Sequence, residues 1–119
     1  MIHSAEFLAI VEDAKSRVRE VSVDETLERI KENAVLIDVR EDHEFEVGHA
    51  KSAIHLGRGI IERDIVGKYS DKNTELILYC GGGFRSALAG DMLQKMGYTN
   101  VWSMAGGWSA WQERMKDEG

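Results

Sequence analysis

Cysteine, proline and long apolar runs are scarce or absent in this chain. Its 119 residues include one cysteine and no proline. A single thiol excludes an intramolecular disulfide framework and a thiolate-rich zinc site, because both need several cysteines at suitable spacing. The longest apolar runs, such as residues 76–80, are far shorter than the ~20 residues that cross a bilayer. We therefore expect no structural disulfide, no metal centre and no membrane span.

Positive charge is also in deficit, since 15 lysines and arginines stand against 21 acidic residues, a net charge of −6. Nucleic acids and anionic membrane surfaces attract clustered Lys and Arg, so we expect neither as a partner. His3 and Glu6 precede any apolar stretch, and no basic segment stands before them. This pattern predicts no secretory signal and a cytoplasmic location.

Short apolar segments alternate with helical patterns along the chain. The predicted strands are 20–21, 34–39, 53–56, 75–79 and 101–103, and the predicted helices are 4–18, 22–31, 41–47, 58–69, 86–96 and a closing helix around 108–115. This alternation predicts an α/β fold with a mostly parallel sheet and helices on both faces. We predict an N-terminal helical extension, residues 1–19, without chemistry of its own, followed by one domain, residues 20–119.

Side chains on two of the predicted helices indicate which faces pack inward. Leu88, Met92 and Met96 share one face of the helix at 86–96. Trp108 and Trp111 stand at helical spacing in the closing helix, and we expect both to belong to the core rather than to a stacking platform for a ligand.

A glycine-rich segment joins the strand at 75–79 to the next helix. It consists of Cys80, Gly81, Gly82, Gly83, Phe84, Arg85 and Ser86. Successive glycines can adopt positive φ, which lets several N–H groups converge on one point, and a helix that begins near Ser86 adds the positive end of its dipole. Such surroundings, with an arginine nearby, favour the thiolate form of a cysteine. In parallel α/β sheets, ligands bind at these strand-to-helix loops.

We therefore predict that Cys80 is a nucleophile at the entrance of an anion-holding loop formed by residues 81–86. The alternative is that the glycines only make a tight turn and that Cys80 packs as a small apolar residue.

Four motifs occur in a fixed order along the chain. They are Asp38-Val39-Arg40-Glu41, then Glu44-Phe45 with Gly48-His49-Ala50, then the segment Cys80 to Ser86, and finally Gly106-Gly107-Trp108. In this order and at these intervals the chain resembles the rhodanese family, in its single-domain form, over about residues 20–116. The resemblance implies a five-stranded parallel sheet and a cysteine persulfide intermediate. It also implies transfer of a sulfane sulfur from a donor such as thiosulfate to a thiol or cyanide, without a metal or organic cofactor.

The resemblance assigns roles residue by residue. Cys80 matches the persulfide-forming cysteine, and residues 81–85 match the loop that cradles it. Asp38, Arg40, Glu44 and His49 match positions that brace the site, and we expect the last two to form a hydrogen-bonded pair that does not take part in catalysis.

One segment departs from the family pattern, and one arginine is not part of the family motifs. The family usually has Ile-Pro-Gly after the Gly-His motif, whereas this chain has Ala50-Lys51-Ser52 in a turn away from the nucleophile. Arg58 follows the strand at 53–56 and either guides anionic donors or is a solvated surface residue.

Two other functions remain open besides sulfur transfer. One is a non-catalytic binding or regulatory module, which the intact Cys80 and Arg85 disfavour. The other is a thiol phosphatase, but four residues separate Cys80 from Arg85, and phosphatases of related fold need a longer loop for the phosphoryl oxygens. The expected partners are a small sulfur donor and a thiol or cyanide acceptor, or a cysteine of a partner protein, since this chain has no second thiol.

Overall fold

Helices and strands alternate throughout residues 2–116, the part of the chain that the computed structural model describes. The strands are β1 (Arg19–Val21), β2 (Val35–Asp38), β3 (Ile54–His55), β4 (Leu76–Tyr79) and β5 (Val101–Met104). The helices are α1 (Ala5–Lys15), α2 (Val23–Lys31), α3 (Asp42–Val47), α4 (Ile61–Lys68), α5 (Phe84–Lys95) and α6 (Gly107–Lys116). Each predicted element is present, so the α/β prediction is confirmed.

The strands form one five-stranded sheet in the order β1-β5-β4-β2-β3 within these residues. Every neighbouring pair is parallel. β4 is the central strand, and all four of its residues are buried, because helices cover both faces of the sheet. Cys80 follows β4 directly and therefore lies at the carboxyl edge of the sheet, where parallel sheets bind their ligands.

Alternate residues of β2 and β4 supply two separate cores. Leu76 and Leu78 belong to a cluster that also includes buried residues of α4 and α5. Ile77 and Tyr79 belong to the opposite cluster, which α2 and α6 cover. This follows from the period of two along a strand. No helix among the described residues is long and apolar enough to cross a membrane.

α1 packs against the outer side of α5, and the sheet covers the inner side. Val11 and Ala14 of α1 are buried, and a Cβ on Gly90 of α5 would lie 3.0 Å from a methyl group of Val18. Arg17 Nε and Nη2 both donate to the carboxylate of Asp91, each at 2.8 Å. The N-terminal helix is therefore fixed to α5 by close packing and by an ion pair.

The packing of α5 differs from the face expected from its large apolar residues. The fully buried residues are small or polar for the most part, namely Ser86, Ala87, Ala89, Gly90, Asp91 and Leu93. Leu88, Met92 and Met96 are only partly buried. The reason is that α5 lies between two layers, so small residues are needed where its backbone approaches α1 and the sheet.

Candidate active site

The loop after β4 curls around the sulfur of Cys80. The backbone N–H of Gly83 donates to Cys80 Sγ at 3.1 Å, and that of Ser86 donates at 3.4 Å. Gly83 has a φ of 104° and is the N-cap of α5, which begins at Phe84 rather than near Ser86. The sulfur was predicted at the entrance of the loop, but Cys80 is only 1% exposed. The sulfur is thus recessed rather than exposed, although Cys80 still lines the cleft that opens over the loop.

Two buried hydroxyl groups lie on the inner side of the sulfur. Ser86 Oγ is 3.6 Å from Cys80 Sγ and 2.8 Å from Ser103 Oγ. Both serines are almost completely buried. Ser103 was not identified from the sequence as part of this region. The sequence does contain one indication of its role. Ser103 lies in a predicted apolar strand, where a buried polar group needs a hydrogen-bonding partner.

The start of α6 holds the same loop from the other side. Trp108 N–H donates to the carbonyl oxygen of Cys80 at 2.7 Å, and Ser109 N–H donates to that of Gly81 at 3.3 Å. Gly107 has a φ of 53°, and a Cβ there would overlap the Cys80 carbonyl oxygen. The glycine requirement is therefore strict at this position. By contrast, neither Gly81 nor Gly82 has a positive φ.

Arg85 is paired with an acid rather than free to meet an anion. Its Nη1 and Nη2 donate to the two carboxylate oxygens of Glu44 at 2.7 and 3.2 Å. This pairing lowers the pKa of Glu44 to about 2 and raises the pKa of Arg85. The pair joins α3 to the first turn of α5 beside Cys80.

The expected hydrogen-bonded pair of Glu44 and His49 is not present. The His49 ring instead stacks on Phe45, with 3.6 Å between ring centroids, and its Nδ1 lies 2.9 Å from the Phe45 carbonyl oxygen. Glu44 is one residue earlier on the short helix α3, so its side chain points to a different side from Phe45 and reaches Arg85.

A second arginine–carboxylate pair braces the turn after β2. Arg40 Nη2 donates to Asp38 Oδ2 at 2.8 Å and to the carbonyl oxygen of Gly48 at 2.7 Å. The Trp108 ring covers the Arg40 guanidinium, with 4.9 Å from its carbon to the ring centroid. Trp111 is buried as expected, whereas Trp108 is partly buried.

A cleft of ≈ 550 Å³ opens over this region. Its lining residues are His3, Phe7, Glu44, Cys80, Gly82, Phe84 and Arg85. Two of them, His3 and Phe7, come from the N-terminal segment, to which the sequence assigned no chemistry. Phe7 was recognised only as part of the apolar stripe of α1, and His3 carried no signal. Arg58 and Lys51 do not line this cleft. No group of three or more potential metal ligands occurs within residues 2–116.

These features define a class of α/β domain with a buried thiol at the end of a central parallel strand. The thiol accepts hydrogen bonds from a short glycine-rich loop and from the first turn of the helix that follows. A family model described as "Rhodanese-like domain" matches residues 22–114. The chain belongs to this family. α1 precedes the matched residues.

Relatives of the chain include proteins named as sulfurtransferases. A protein of Schizosaccharomyces pombe, whose name proposes that it is a mitochondrial thiosulfate sulfurtransferase, is 33% identical over an alignment of 99 residues. The match covers 72% of this chain and 68% of that protein. The solved polysulfide-sulfur transferase homodimer of Wolinella succinogenes is 28% identical, with a TM-score of 0.78, over 93% of this chain and 85% of that one. The chain is therefore a relative of sulfurtransferases.

Other relatives carry the domain within a longer protein. The tRNA uridine(34) hydroxylase of an Enterobacter strain is 30% identical over an alignment of 91 residues that covers 73% of this chain. The match covers about a quarter of the hydroxylase, 26% of its length. The same fold therefore occurs in proteins whose names indicate a different reaction.

Proposed function

We propose that the protein is a sulfurtransferase that moves a sulfane sulfur from thiosulfate or a similar donor to a thiol or cyanide through a persulfide on Cys80. The observation that carries this proposal is the pair of backbone N–H groups, from Gly83 and Ser86, that donate to Cys80 Sγ. Both point at the atom that would carry negative charge as a thiolate. They lie at the start of α5, whose dipole favours the same charge.

In the first half of the proposed reaction, the Cys80 thiolate attacks the outer sulfur of thiosulfate. A bond forms between Cys80 Sγ and the outer sulfur, and the bond between the two sulfur atoms of thiosulfate breaks. Its electron pair leaves with sulfite. Because sulfite is a stable anion, this step needs no general acid to protonate the leaving group. The product is the Cys80 persulfide anion, with its charge on the outer sulfur.

In the second half, the acceptor takes the outer sulfur from the persulfide. Cyanide gives thiocyanate, and a thiol gives an organic persulfide. In both cases the Cys80 thiolate is regenerated. The role proposed for the loop, residues 81–86, is to hold the anionic groups in both halves through its backbone N–H groups. Arg85 lies nearby, and its charge is shared with Glu44. In this proposal residues 20–119 form the catalytic domain and residues 1–19 form the N-terminal extension. Residues 1 and 117–119 lie outside the described part of the chain.

The single cysteine of the sequence makes the proposed transfer intermolecular. No other thiol of the chain can attack the persulfide, so the acceptor is a small thiol, cyanide or a cysteine of a partner protein. The cytoplasmic location stays a prediction, and the S. pombe relative is named as mitochondrial.

Intact-mass spectrometry after incubation with thiosulfate tests the proposal. We expect a one-sulfur adduct on Cys80 that persists without an acceptor and disappears at a rate that rises with added thiol. Cys80→Ser should form no adduct and should not turn over thiosulfate and cyanide, because a hydroxyl does not supply a comparable anion at neutral pH. Circular dichroism melting of the variant checks that it is folded.

Two results would contradict the proposal. One is turnover by folded Cys80→Ser near the rate of the parent protein. The other is a parent protein that binds donors but never gains a sulfur, which would favour the non-catalytic binding module. Hydrolysis of a chromogenic phosphate ester, measured in parallel, would indicate the phosphatase alternative.

A further inference from the structure

Three aromatic rings form one wall of the Cys80 cleft. The centroid of the His3 ring is 5.1 Å from that of Phe7 and 4.9 Å from that of Phe84, and the Phe7 and Phe84 centroids are 6.2 Å apart. All three side chains are partly exposed and line the cleft. Phe84 directly follows Gly83, whose N–H donates to the sulfur. The wall therefore stands next to the reacting atom.

The part of this wall that α1 contributes is held in place. Ser4 Oγ accepts a hydrogen bond from Phe7 N–H at 3.1 Å and so caps the helix. One turn after Phe7, Val11 is buried, and the Arg17–Asp91 ion pair fixes the end of the segment to α5. Phe7 thus belongs to a docked helix and presents its ring at a fixed position.

Arg85 and Glu44 also line the cleft and form an ion pair. The Lys15 ammonium lies 5.2 Å from the centroid of the Phe84 ring, but Lys15 does not line the cleft. Arg85 is engaged by both oxygens of Glu44, and the lowered pKa of Glu44, about 2, keeps that carboxylate ionised at neutral pH. The two formal charges therefore cancel. A small dianion such as thiosulfate gains little net Coulomb attraction from this pair, whereas an apolar group gains from burial against the rings.

We propose that the cleft selects sulfur donors that carry an apolar group, best a flat aromatic ring, next to the sulfane sulfur. His3, Phe7 and Phe84 are then the residues that determine this specificity. The inference rests on the proposed sulfurtransferase function and names the substrate class of the same site. For an organic thiosulfonate, the Cys80 thiolate takes the outer sulfur, the sulfur–sulfur bond breaks, and a sulfinate anion leaves with its electron pair.

Two donors that differ only in the organic group test the proposal on the unaltered protein. Benzenethiosulfonate and methanethiosulfonate have the same charge and the same reacting group. We expect kcat/KM with cyanide as acceptor to be about tenfold higher for the aromatic donor, because its ring buries apolar area and packs against the wall. The ratio of the two values is the quantity to compare between proteins.

Variants of the wall have a matched control on the same helix. Phe7→Ala and His3→Ala should lower the ratio toward about twofold, since each removes one ring from the wall. Leu8→Ala should leave the ratio unchanged, because Leu8 is 40% exposed and does not line the cleft. The ratio is taken within each protein, so a variant that is partly unfolded still gives an interpretable value. His3→Ala, moreover, leaves the buried stripe of α1 intact.

The outcomes separate this inference from the function on which it rests. A parent ratio near one overturns the inference, and so does a ratio that Phe7→Ala and His3→Ala leave unchanged, even though Cys80 gains sulfur from both donors. If neither donor nor thiosulfate leaves a one-sulfur adduct on Cys80, the sulfurtransferase function itself is wrong. A raised parent ratio that falls in both wall variants and not in Leu8→Ala supports the inference.

Discussion

Two arginine–carboxylate pairs in this protein have the same chemistry and different surroundings. Asp38 and Arg40 are two residues apart at the end of β2, and Glu44 and Arg85 are 41 residues apart in sequence and join α3 to α5. In each pair, two guanidinium nitrogens reach both oxygens of the carboxylate. Such bidentate geometry gives the strongest form of this interaction.

The two pairs differ in their exposure to solvent. The side chains of Arg40 and Asp38 are 5% and 0% exposed, so water has little access to either group in the folded protein. The side chains of Arg85 and Glu44 are 32% and 28% exposed, and both line the cleft. The comparison teaches that the first pair belongs to the framework, whereas a ligand or water can take part in the second.

The largest expected effect is that of Arg40→Ala on stability. Removal of the guanidinium leaves the Asp38 carboxylate buried without its counter-charge, with the backbone N–H of residue 40 as a remaining donor. The loss of the counter-charge costs about 3–5 kcal/mol of the free energy of unfolding. Urea unfolding of parent and variant measures the loss. The double variant Asp38→Asn with Arg40→Met is the control, because it removes both charges and should recover part of the stability. If the free energy of unfolding falls by less than about 1 kcal/mol, the Asp38–Arg40 pair contributes no more than an exposed pair, and the contrast with Glu44–Arg85 is wrong.

The next effect is that of Arg85→Ala on the use of anionic donors. The free energy of unfolding should fall by about 1 kcal/mol or less, as for exposed pairs. In contrast, kcat/KM for thiosulfate should fall about tenfold or more, because the unpaired Glu44 carboxylate repels the dianion. Arg85→Lys should restore only part of it, since a lysine offers a single point charge.

The double variant Arg85→Ala with Glu44→Gln is the matched control for this experiment. It lacks the repelling carboxylate, so its kcat/KM for thiosulfate should exceed that of Arg85→Ala alone. If Arg85→Ala melts the protein and leaves the kinetics of the folded fraction unchanged, Arg85 has a structural role like that of Arg40.

The smallest effect is a pH-dependent difference in stability between the parent and Glu44→Gln. Pairing with Arg85 lowers the pKa of Glu44 from 4.5 to about 2 in the folded protein. The stabilisation from this group is therefore fully present above about pH 4.5 and is lost as the pH falls toward 2. Urea unfolding at several pH values should show a parent advantage of under about 1 kcal/mol at pH 6 that shrinks below pH 4. A difference that stays constant over this range would contradict the assignment.

Local signals in the sequence predicted much of the fold. Ser22 and Glu25 form the capping box at the start of α2, with Glu25 N–H donating to Ser22 Oγ at 3.0 Å. Such a motif needs only residues three positions apart, so it is visible in the sequence. The alternation of strand and helix likewise predicted the parallel sheet, and the position of Cys80 after β4 followed from it.

Predictions about the candidate site were less complete where they depended on which distant segments meet. Arg85 was identified, but its partner was not, because nothing in the spacing of Glu44 and Arg85 indicates contact across 41 residues. The pairing of Glu44 with His49 was expected from the family positions that the two residues match. It is wrong because the turn of α3 separates the two side chains.

The sequence by itself determined the α/β class, the helix starts that have a local cap, and the place of the one cysteine at the carboxyl edge of a parallel sheet. These features depend on neighbours within a few residues, and the chain encodes them directly. Only the tertiary structure decided that Ser103 lies beside Ser86, that Glu44 neutralises Arg85, and that His3 and Phe7 wall the cleft. The physical reason is that those contacts arise from the packing of α1, α3 and β5 against α5, whose geometry depends on the whole core.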